Sequence, residues 1–306
     1  MVSSKNHATL VRLMGIEKKK ARMGLLFTMP WIIGLLIFYA YPLISSVYYS
    51  LTSYSILNPG KFVGLKNYTR LFQDDLFWKS ITNTLYFTAI SVPVNIIVGI
   101  GIALLLNTKS KATGVYRTIF FIPTLVPIVA VATVWKFLLD TQYGLINQSL
   151  NLLGLASVPW LTSETYSKLS LVLIAAWGVG QAVIINLAGL QDISPTYYEA
   201  AEVDGATAFQ KIRHITIPLL SPVVFYNLVM GTINALQSFT LPYTITGGEG
   251  NPVNSLMFYV MYLYSNAFGY MKMGYASAMA WILFVIILVL TVFIFRSSKY
   301  WVQYQD

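Results

Sequence analysis

Six apolar runs, near residues 24–49, 82–106, 115–139, 169–190, 219–241 and 274–295, constrain this chain more than any other feature of its sequence. Each is at least as long as the roughly 20 residues that a helix needs to cross a bilayer core. No water is available there to satisfy exposed backbone groups, so only helices and closed barrels span a membrane. A barrel would need strands of about 10 residues with alternating faces, whereas these runs are longer and apolar all round. The expected fold class is therefore all-α, a polytopic membrane bundle of six helices. Pro30, Pro42, Pro93, Pro123 and Pro127 lie inside the runs and predict kinks, which membrane helices tolerate when neighbours satisfy the freed backbone groups.

Composition agrees: 56% of residues are hydrophobic and 10% charged, with a mean hydropathy of +0.64, against roughly 25% charged residues in soluble domains. The first run follows Lys18, Lys19, Lys20 and Arg22 but is longer than a signal-peptide core and lacks a small-residue cleavage site, so it reads as a retained helix. With the N-terminus inside, thirteen of the twenty Lys and Arg fall on the cytoplasmic side: the six before Met23, then Lys109, Lys111, Arg117, Lys211, Arg213, Arg296 and Lys299. This bias satisfies the positive-inside rule and accounts for the net charge of +9 without nucleic acid, for which no motif is present. The expected organisation is a cytoplasmic segment over 1–23, a membrane domain over 24–296 and a cytoplasmic tail over 297–306, in a multi-pass protein of the bacterial cell membrane with both termini inside.

Several function classes drop out. There is no cysteine, and His7 and His214 are the only histidines, too few for a histidine metal cluster, so no metal or cofactor is expected in this chain. Paired carboxylates, HExxH and GxSxG are absent, which disfavours a membrane enzyme. An ion-coupled transporter would want buried Asp, Glu or His along its path, and the centres of helices two to six lack them.

The outer connections, 51–80, 140–168 and 242–273, are long and punctuated by Gly and Pro. One sizeable inner loop, about 192–218, carries Asp192, Glu199, Glu202 and Asp204. Ser194 can cap a helix with Pro195 at its first position, and Gly205 offers a left-handed stop. Thr207 to Gln210 forms a T-x-x-Q capping box for a second short helix, and Pro218 is expected to stop that helix. With Ala200, Ala201, Ala206, Ala208 and Phe209 among its charges, this helix–glycine–helix knuckle can be a solvated loop or an element lying in a partner's groove.

Spacing favours the second reading: Glu199-Ala200-Ala201, three residues, Gly205, nine residues, then Ile215-Thr216-Ile217-Pro218. This resembles the EAA loop of ABC importer permeases. The blocks "FVGLKNYTRLFQDDLFWKSITNTLYFT", "RTIFFIPTLVP" and "MGYASAMAWILF" extend the resemblance over nearly the whole chain, towards the carbohydrate branch and the larger permease subunit of maltose-type transporters, although without that subunit's large periplasmic insertion. The resemblance implies a type I importer fold in which Glu199, Ala200, Ala201, Asp204, Gly205, Phe209 and Pro218 couple to a cytoplasmic ATPase. It also implies a second permease subunit, two ATPase copies and an extracytoplasmic solute-binding protein as partners. No phosphate-binding loop occurs, since Gly60-Lys61 is followed by Phe62, so ATP and Mg would be bound by the ATPase subunits.

For the pathway, polar residues inside membrane helices usually face the bundle interior or water. Asn227, Gly231, Asn234 and Ser238 recur at i, i+4, i+7 and i+11 in the fifth run, with Gln237 beside them. Trp177, Gly178 and Gln181 of the fourth run offer an indole next to an amide, a pairing suited to the apolar face and hydroxyls of a sugar. Aligning "QSFTLPYTITGG" with maltose-type subunits places Gln237 and Ser238 over sugar contacts. The expected substrate residues are thus Trp177, Gln181, Asn234, Gln237 and Ser238, while Asn95 in the second run reads as interhelical glue. A permease for glycerol phosphate or another phosphorylated solute is the alternative, but it should place Arg or Lys in the path, where only Lys136 and Lys168, near outer ends, could serve.

The topology is testable, because the native chain has no cysteine. Ser3→Cys should resist an impermeant thiol reagent added to intact cells and react once the cells are opened; labelling from outside would reverse the orientation.

Overall fold

The computed structural model describes Lys20, residues 22–108 and residues 113–303. Among them the fold is helical, with isolated bridges only at Thr52–Phe62 and Ser55–Asn58. Four helices are long and apolar enough to cross a membrane: α1 (Arg22–Ser50), α3 (Asp75–Leu106), α11 (Ile217–Leu236, within the stretch Ala208–Thr246) and α14 (Met273–Ser298). Two bent pairs bring the number of possible spans to six: α4 (Thr113–Leu125) with α5 (Ile128–Leu138), and α7 (Glu164–Trp177) with α8 (Gly180–Asp192). Short helices fill the connections: α2 (Lys66–Phe72), α6 (Leu145–Leu152), α9 (Pro195–Val203), α10 (Ala208–Lys211), α12 (Thr240–Thr246) and α13 (Tyr259–Tyr264).

The six-helix expectation thus holds only with three breaks that the apolar pattern does not show. The third run turns by 97° at Val126-Pro127, and the fourth by 51° at Gly178-Val179. The fifth ends at Leu236 rather than 241, and α12 follows after a break. The other prolines are absorbed differently. Pro93 lies inside the single 32-residue α3, and a π turn at Leu36–Ala40 precedes Pro42 in α1. Pro222 cannot donate to the Pro218 carbonyl; Ser221 Oγ does so instead, at 2.6 Å.

Helix α3 is the axis, with α7, α8, α11 and α13 packed against it. Its Phe87 and Val92 join Leu171, Ile174, Ala235 and Phe258 in one buried cluster. Nearer its start, Phe77 joins Tyr259, Met261 and Met279. At its far end Ala103 and Leu106 join Val183, Leu187 and Leu220. Helix α1 is the outlier: its spanning window buries nothing in the chain itself. It leans on α14, where Trp281 Nε1 donates to Ser46 Oγ (3.1 Å) and Gly274 lets the backbone at Thr52 approach so closely that a Cβ would collide with the Thr52 carbonyl.

The start of α3 is held by Asp74. Its Oδ1 accepts from the amides of Leu76 (3.0 Å) and Phe77 (3.3 Å), while its Oδ2 accepts from the hydroxyls of Tyr262 (2.5 Å) and Tyr275 (2.6 Å). One carboxylate therefore caps α3 and ties it to α13 and α14. Burial by itself raises this carboxyl, but the bonds from Tyr262, Tyr275, Phe77 and Leu76 outweigh it and hold the group below its ordinary 3.8.

Asp74→Ala should cost about 1–3 kcal/mol, as a lost cap plus lost bonds to a charged group, read as a lower melting temperature in detergent. A carboxyl held low in the folded state contributes stability above its ordinary value and loses it as pH falls through the folded value. The deficit of Asp74→Asn relative to the native chain should therefore be full at pH 7 and shrink only below about pH 4.

Candidate functional site

A cavity of about 480 Å³ opens where the three breaks converge, within the roughly 300–1,000 Å³ typical of small-molecule sites. Phe87, Ser91, Val92, Asn95 and Ile96 of α3 form one wall. Gln181, Ala182 and Ile185 of α8, with Gly178 and Val179 at the bend, form the second, and Tyr226, Asn227, Met230, Gly231 and Asn234 of α11 the third. Ser238, Phe239, Thr240 and Leu241 close one end. Among the described residues no charged side chain lines it; its polar groups are amides and hydroxyls.

Asn227, Gly231 and Asn234 of α11 face this space as a helical stripe, and Ser238, two residues beyond the helix end, lines it as well. Gln181 and Asn234 lie across the cavity on separate helices. Trp177 and Gln237 do not reach it. In an unbroken helix Trp177 would share a face with Gln181, but α7 ends at Trp177 and the bend intervenes. The indole, 43% exposed, packs edge-on against Trp135 at 6.2 Å and 73° instead. Gln237 would likewise follow Asn234 by one turn, but α11 ends at Leu236 and leaves Gln237 as an exposed cap residue. Phe87, Ser91, Tyr226 and Met230 are lining residues that the sequence reading passed over; the signals were the positions flanking the Asn227–Gly231 face for Tyr226 and Met230, and the i, i+4 spacing of Ser91 to Asn95 for α3.

The bend itself depends on glycine. Gly180 opens α8 against α4, and a Cβ there would collide with the Phe120 carbonyl and stand 2.9 Å from Thr124 Cγ2. Asn227 Nδ2 donates to Asn186 Oδ1 (2.9 Å), joining α11 to α8 behind the cavity.

The inner loop forms the expected knuckle. Helix α9 ends in a Schellman motif: Gly205, at φ +74°, donates to Glu202 O (3.1 Å) and Ala206 to Ala201 O (2.9 Å). The Thr207–Gln210 capping box is complete. Lys211 Nζ donates to Glu202 Oε1 (2.8 Å) across the two helices, and this bond holds the Glu202 carboxyl below its ordinary range. Two details differ from expectation. Ser194 occupies the cap position before Pro195 but donates to Thr196 Oγ1 (3.1 Å) rather than capping the amides. Pro218 does not stop the second helix, because a π turn at Ile212–Thr216 carries α10 into α11, with Ile217 N donating to Ile212 O, and this wider turn directly before Pro218 accommodates its ring and missing N–H.

The knuckle exposes Glu199, Ala200, Asp204, Gly205 and Phe209, while Ala201 and Pro218 are half-buried. Val203 is 89% exposed and Phe209 70%, so the solvent side is more apolar than a solvated loop requires. Sequence reasoning passed over Val203, although an aliphatic residue among charges was its signal. Tyr198 and Thr216 hydroxyls meet at 3.0 Å, fastening the knuckle to the π turn that leads into the cavity helix α11.

Comparison with known proteins gives the arrangement a context. Residues 95–303 match the binding-protein-dependent transport system inner membrane component family. The chain is 39% identical over 292 residues to the probable ABC transporter permease protein YesP of Bacillus subtilis (strain 168), covering 94% of each. It is 33% identical over 287 residues to the trehalose/maltose transport system permease protein MalF of Thermococcus litoralis, covering 93% of this chain and 96% of that one. Against the lactose transport system permease protein LacF of Rhizobium radiobacter it is 32% identical over 282 residues, covering 90% and 94%. A chain in the crystal structure of a bacterial alginate ABC transporter, in complex with an alginate pentasaccharide-bound periplasmic protein, superposes with a TM-score of 0.81 at 27% identity, covering 92% of this chain and 96% of that chain.

Gly180→Ala should destabilise the bundle by about 1–3 kcal/mol, the usual cost of overpacking, measured as a lower melting temperature in detergent. Gly101→Ala, where a Cβ meets nothing within 4 Å, should not.

Proposed function

The chain belongs to the family of binding-protein-dependent transport system inner membrane components, and from that premise we propose that it carries a neutral sugar or oligosaccharide through the membrane as one permease subunit of an ATP-driven importer. The observation that carries this reading is the cavity, walled by α3, α8 and α11 and lined by Ser91, Asn95, Gln181, Asn227, Asn234 and Ser238 with no charged side chain among the described lining residues. A phosphorylated solute would call for Arg or Lys in that wall. A polyhydroxyl solute needs amides and hydroxyls, each hydrogen bond contributing about 0.5–1.5 kcal/mol net, with rings such as Phe87 and Tyr226 against its C–H faces. The named sugar permeases among the relatives support the same class. Gln181, Asn234 and Ser238 are the substrate contacts in this proposal; Trp177 and Gln237 would reach the solute only after the breaks beside them rearrange.

The knuckle is the power connection. Glu199, Ala200, Ala201, Asp204, Gly205 and Phe209, with Val203, form the surface that docks on a cytoplasmic ATPase, and Pro218 sits where that surface joins α11. Two ATPase copies hold ATP and Mg, a second permease subunit completes the pathway, and an extracytoplasmic binding protein delivers the sugar. Both termini lie in the cytoplasm.

The test is to copurify the chain with its partners, reconstitute the complex in proteoliposomes and measure ATP-driven uptake. Gly205→Val should abolish most uptake and most sugar-stimulated ATP hydrolysis while membrane insertion persists. A Cβ at Gly205 meets nothing within 4 Å, so the penalty is that of a β-branched residue at positive φ. Gly205→Asn, which tolerates that conformation, should retain coupling. Equal activity in the native chain and Gly205→Val would make the knuckle a bland loop, and uptake confined to phosphorylated solutes would overturn the sugar assignment.

A further inference from the structure

The block "FVGLKNYTRLFQDD" takes no part in the cavity or the knuckle. It forms an elbow between α1 and α3 at the end of the bundle opposite the knuckle, since α3 begins here and ends at Leu106, in the cluster of Ile193 and Leu220 that flank the knuckle. The inward face of the elbow fastens it. Asn67 Nδ2 donates to the carbonyls of Ser50 and Thr52, both at 2.8 Å, and the Tyr68 hydroxyl donates to Ser50 Oγ (2.9 Å). Leu71 is buried in the cluster of Tyr275, Ala278 and Met279. Tyr275 and Ala278 belong to the first two turns of α14, on which α2 packs, so α2 lies beside the end of a membrane span rather than standing clear of it.

The outward face has a different character. Lys66 and Arg70 are exposed one turn apart on it, flanked by Leu65 (66% exposed) and Phe72 (56% exposed), with Lys61 and Phe62 exposed just before. Trp78 leans on Phe72 at 6.0 Å and donates Nε1 to the Phe72 carbonyl (3.0 Å). Among the described residues the ion pairs are Lys79–Glu164 and Lys211–Glu202, so Lys61, Lys66 and Arg70 are unpaired. Of the elbow's two acids, Asp74 is engaged by Tyr262 and Tyr275, leaving Asp75 against three cations. Aromatic rings are ordinary at a membrane boundary, but apolar anchoring does not account for unpaired cations interleaved with them. Lys and Arg stems can cover apolar surface and carry their charge out to the headgroups, where ammonium and guanidinium groups bind phosphate oxygens.

We propose that this elbow is a binding surface for acidic phospholipid. Lys66 and Arg70 hold the headgroup phosphate, Lys61 adds to the positive field, and Leu65, Phe72 and Trp78 rest on the acyl chains beneath. Through Asn67, Tyr68 and Leu71 the bound lipid steadies the ends of α1 and α14. Placing it in the outer leaflet rests on the orientation proposed above; the binding itself does not.

The native chain has no cysteine, so a fluorophore on Phe62→Cys, in the assembled complex with partner cysteines replaced, reports on this elbow alone. The probes are phosphatidylglycerol and phosphatidylcholine carrying bromine on their acyl chains, which quench a fluorophore they touch. In mixed bilayers the complex with Lys66 and Arg70 intact should favour phosphatidylglycerol about tenfold. Lys66→Gln or Arg70→Gln should each cut that preference about three- to fivefold, the effect of one cation near an anionic surface. The double variant should retain less than about twofold, whereas Lys66→Arg keeps the preference. Raised salt should weaken it. Quenching by neither lipid places the elbow clear of the bilayer and overturns the proposal, as does equal quenching by both with the row intact, or an unchanged preference in the double variant. Unchanged lipid preference with weakened affinity for the solute-binding protein makes the elbow a protein dock instead. Failure of both single variants to assemble makes the row structural and likewise overturns the proposal.

Discussion

The core of this bundle is arranged about α3. Among the described residues it is the one helix that contributes to all three buried clusters, with Phe77 near its start, Phe87 and Val92 in its middle and Ala103 and Leu106 at its end. The segment from Asn254 to Tyr259 is registered against it as well. Asn83 Nδ2 donates to the carbonyls of Asn254 (2.7 Å) and Met257 (3.1 Å), and Tyr259 N donates to Thr84 Oγ1 (2.9 Å). Lipid tails are as apolar as leucine, so burial in a membrane gives helices little reason to associate. Close packing and such polar bonds must do it, and a single 32-residue helix offers them along its whole length.

Around this unbroken axis neighbouring helices break, and the cavity opens at the breaks. A bilayer penalises unpaired backbone, so irregular segments persist only where protein or a cavity receives them. Here several irregular points are received locally: beside the Gly178–Val179 bend Gly180 packs directly on the Phe120 backbone, Ser221 Oγ takes the carbonyl freed by Pro222, and the π turn at Ile212–Thr216 absorbs Pro218. The cavity is what remains between α3 and the bent helices. Its polar lining is tolerable because it faces that space rather than lipid.

The knuckle and the cavity are one mechanical unit. Helix α10 runs through the π turn into α11 without a stop, and the Tyr198–Thr216 bond fastens α9 to that turn. A force on the exposed Val203 and Phe209 therefore reaches the helix that carries Asn227 and Asn234 with no flexible linker between. At the same inner end, the tail returns to α11: Gln303 N donates to Ser221 Oγ (2.8 Å), and Trp301 packs on Phe225 at 6.1 Å.

The sequence by itself determined the class of object. Six runs of bilayer length admit only helices, because backbone hydrogen bonding in lipid leaves no other choice for segments that long. The T-x-x-Q box and the glycine at Gly205 fixed the knuckle, since capping and positive φ are local properties that a few consecutive residues decide. Asn227, Gly231 and Asn234 were legible as a stripe because α11 stays helical across them, whereas Ser238 lies beyond the helix end at Leu236 and lines the cavity from the break. Tertiary structure alone decided what lies at a break. Trp177 and Gln237 have helical spacing to Gln181 and Asn234, but periodicity assumes a continuous helix, and whether one bends at Gly178 or ends at Leu236 depends on what packs against it. Tertiary structure also separated Asn95 from Asn186 and Asn227, which are the same residue type in equally apolar runs. Whether an amide meets a partner across the bundle, as Asn186 and Asn227 do, is a fact about neighbouring helices, and no local pattern records it.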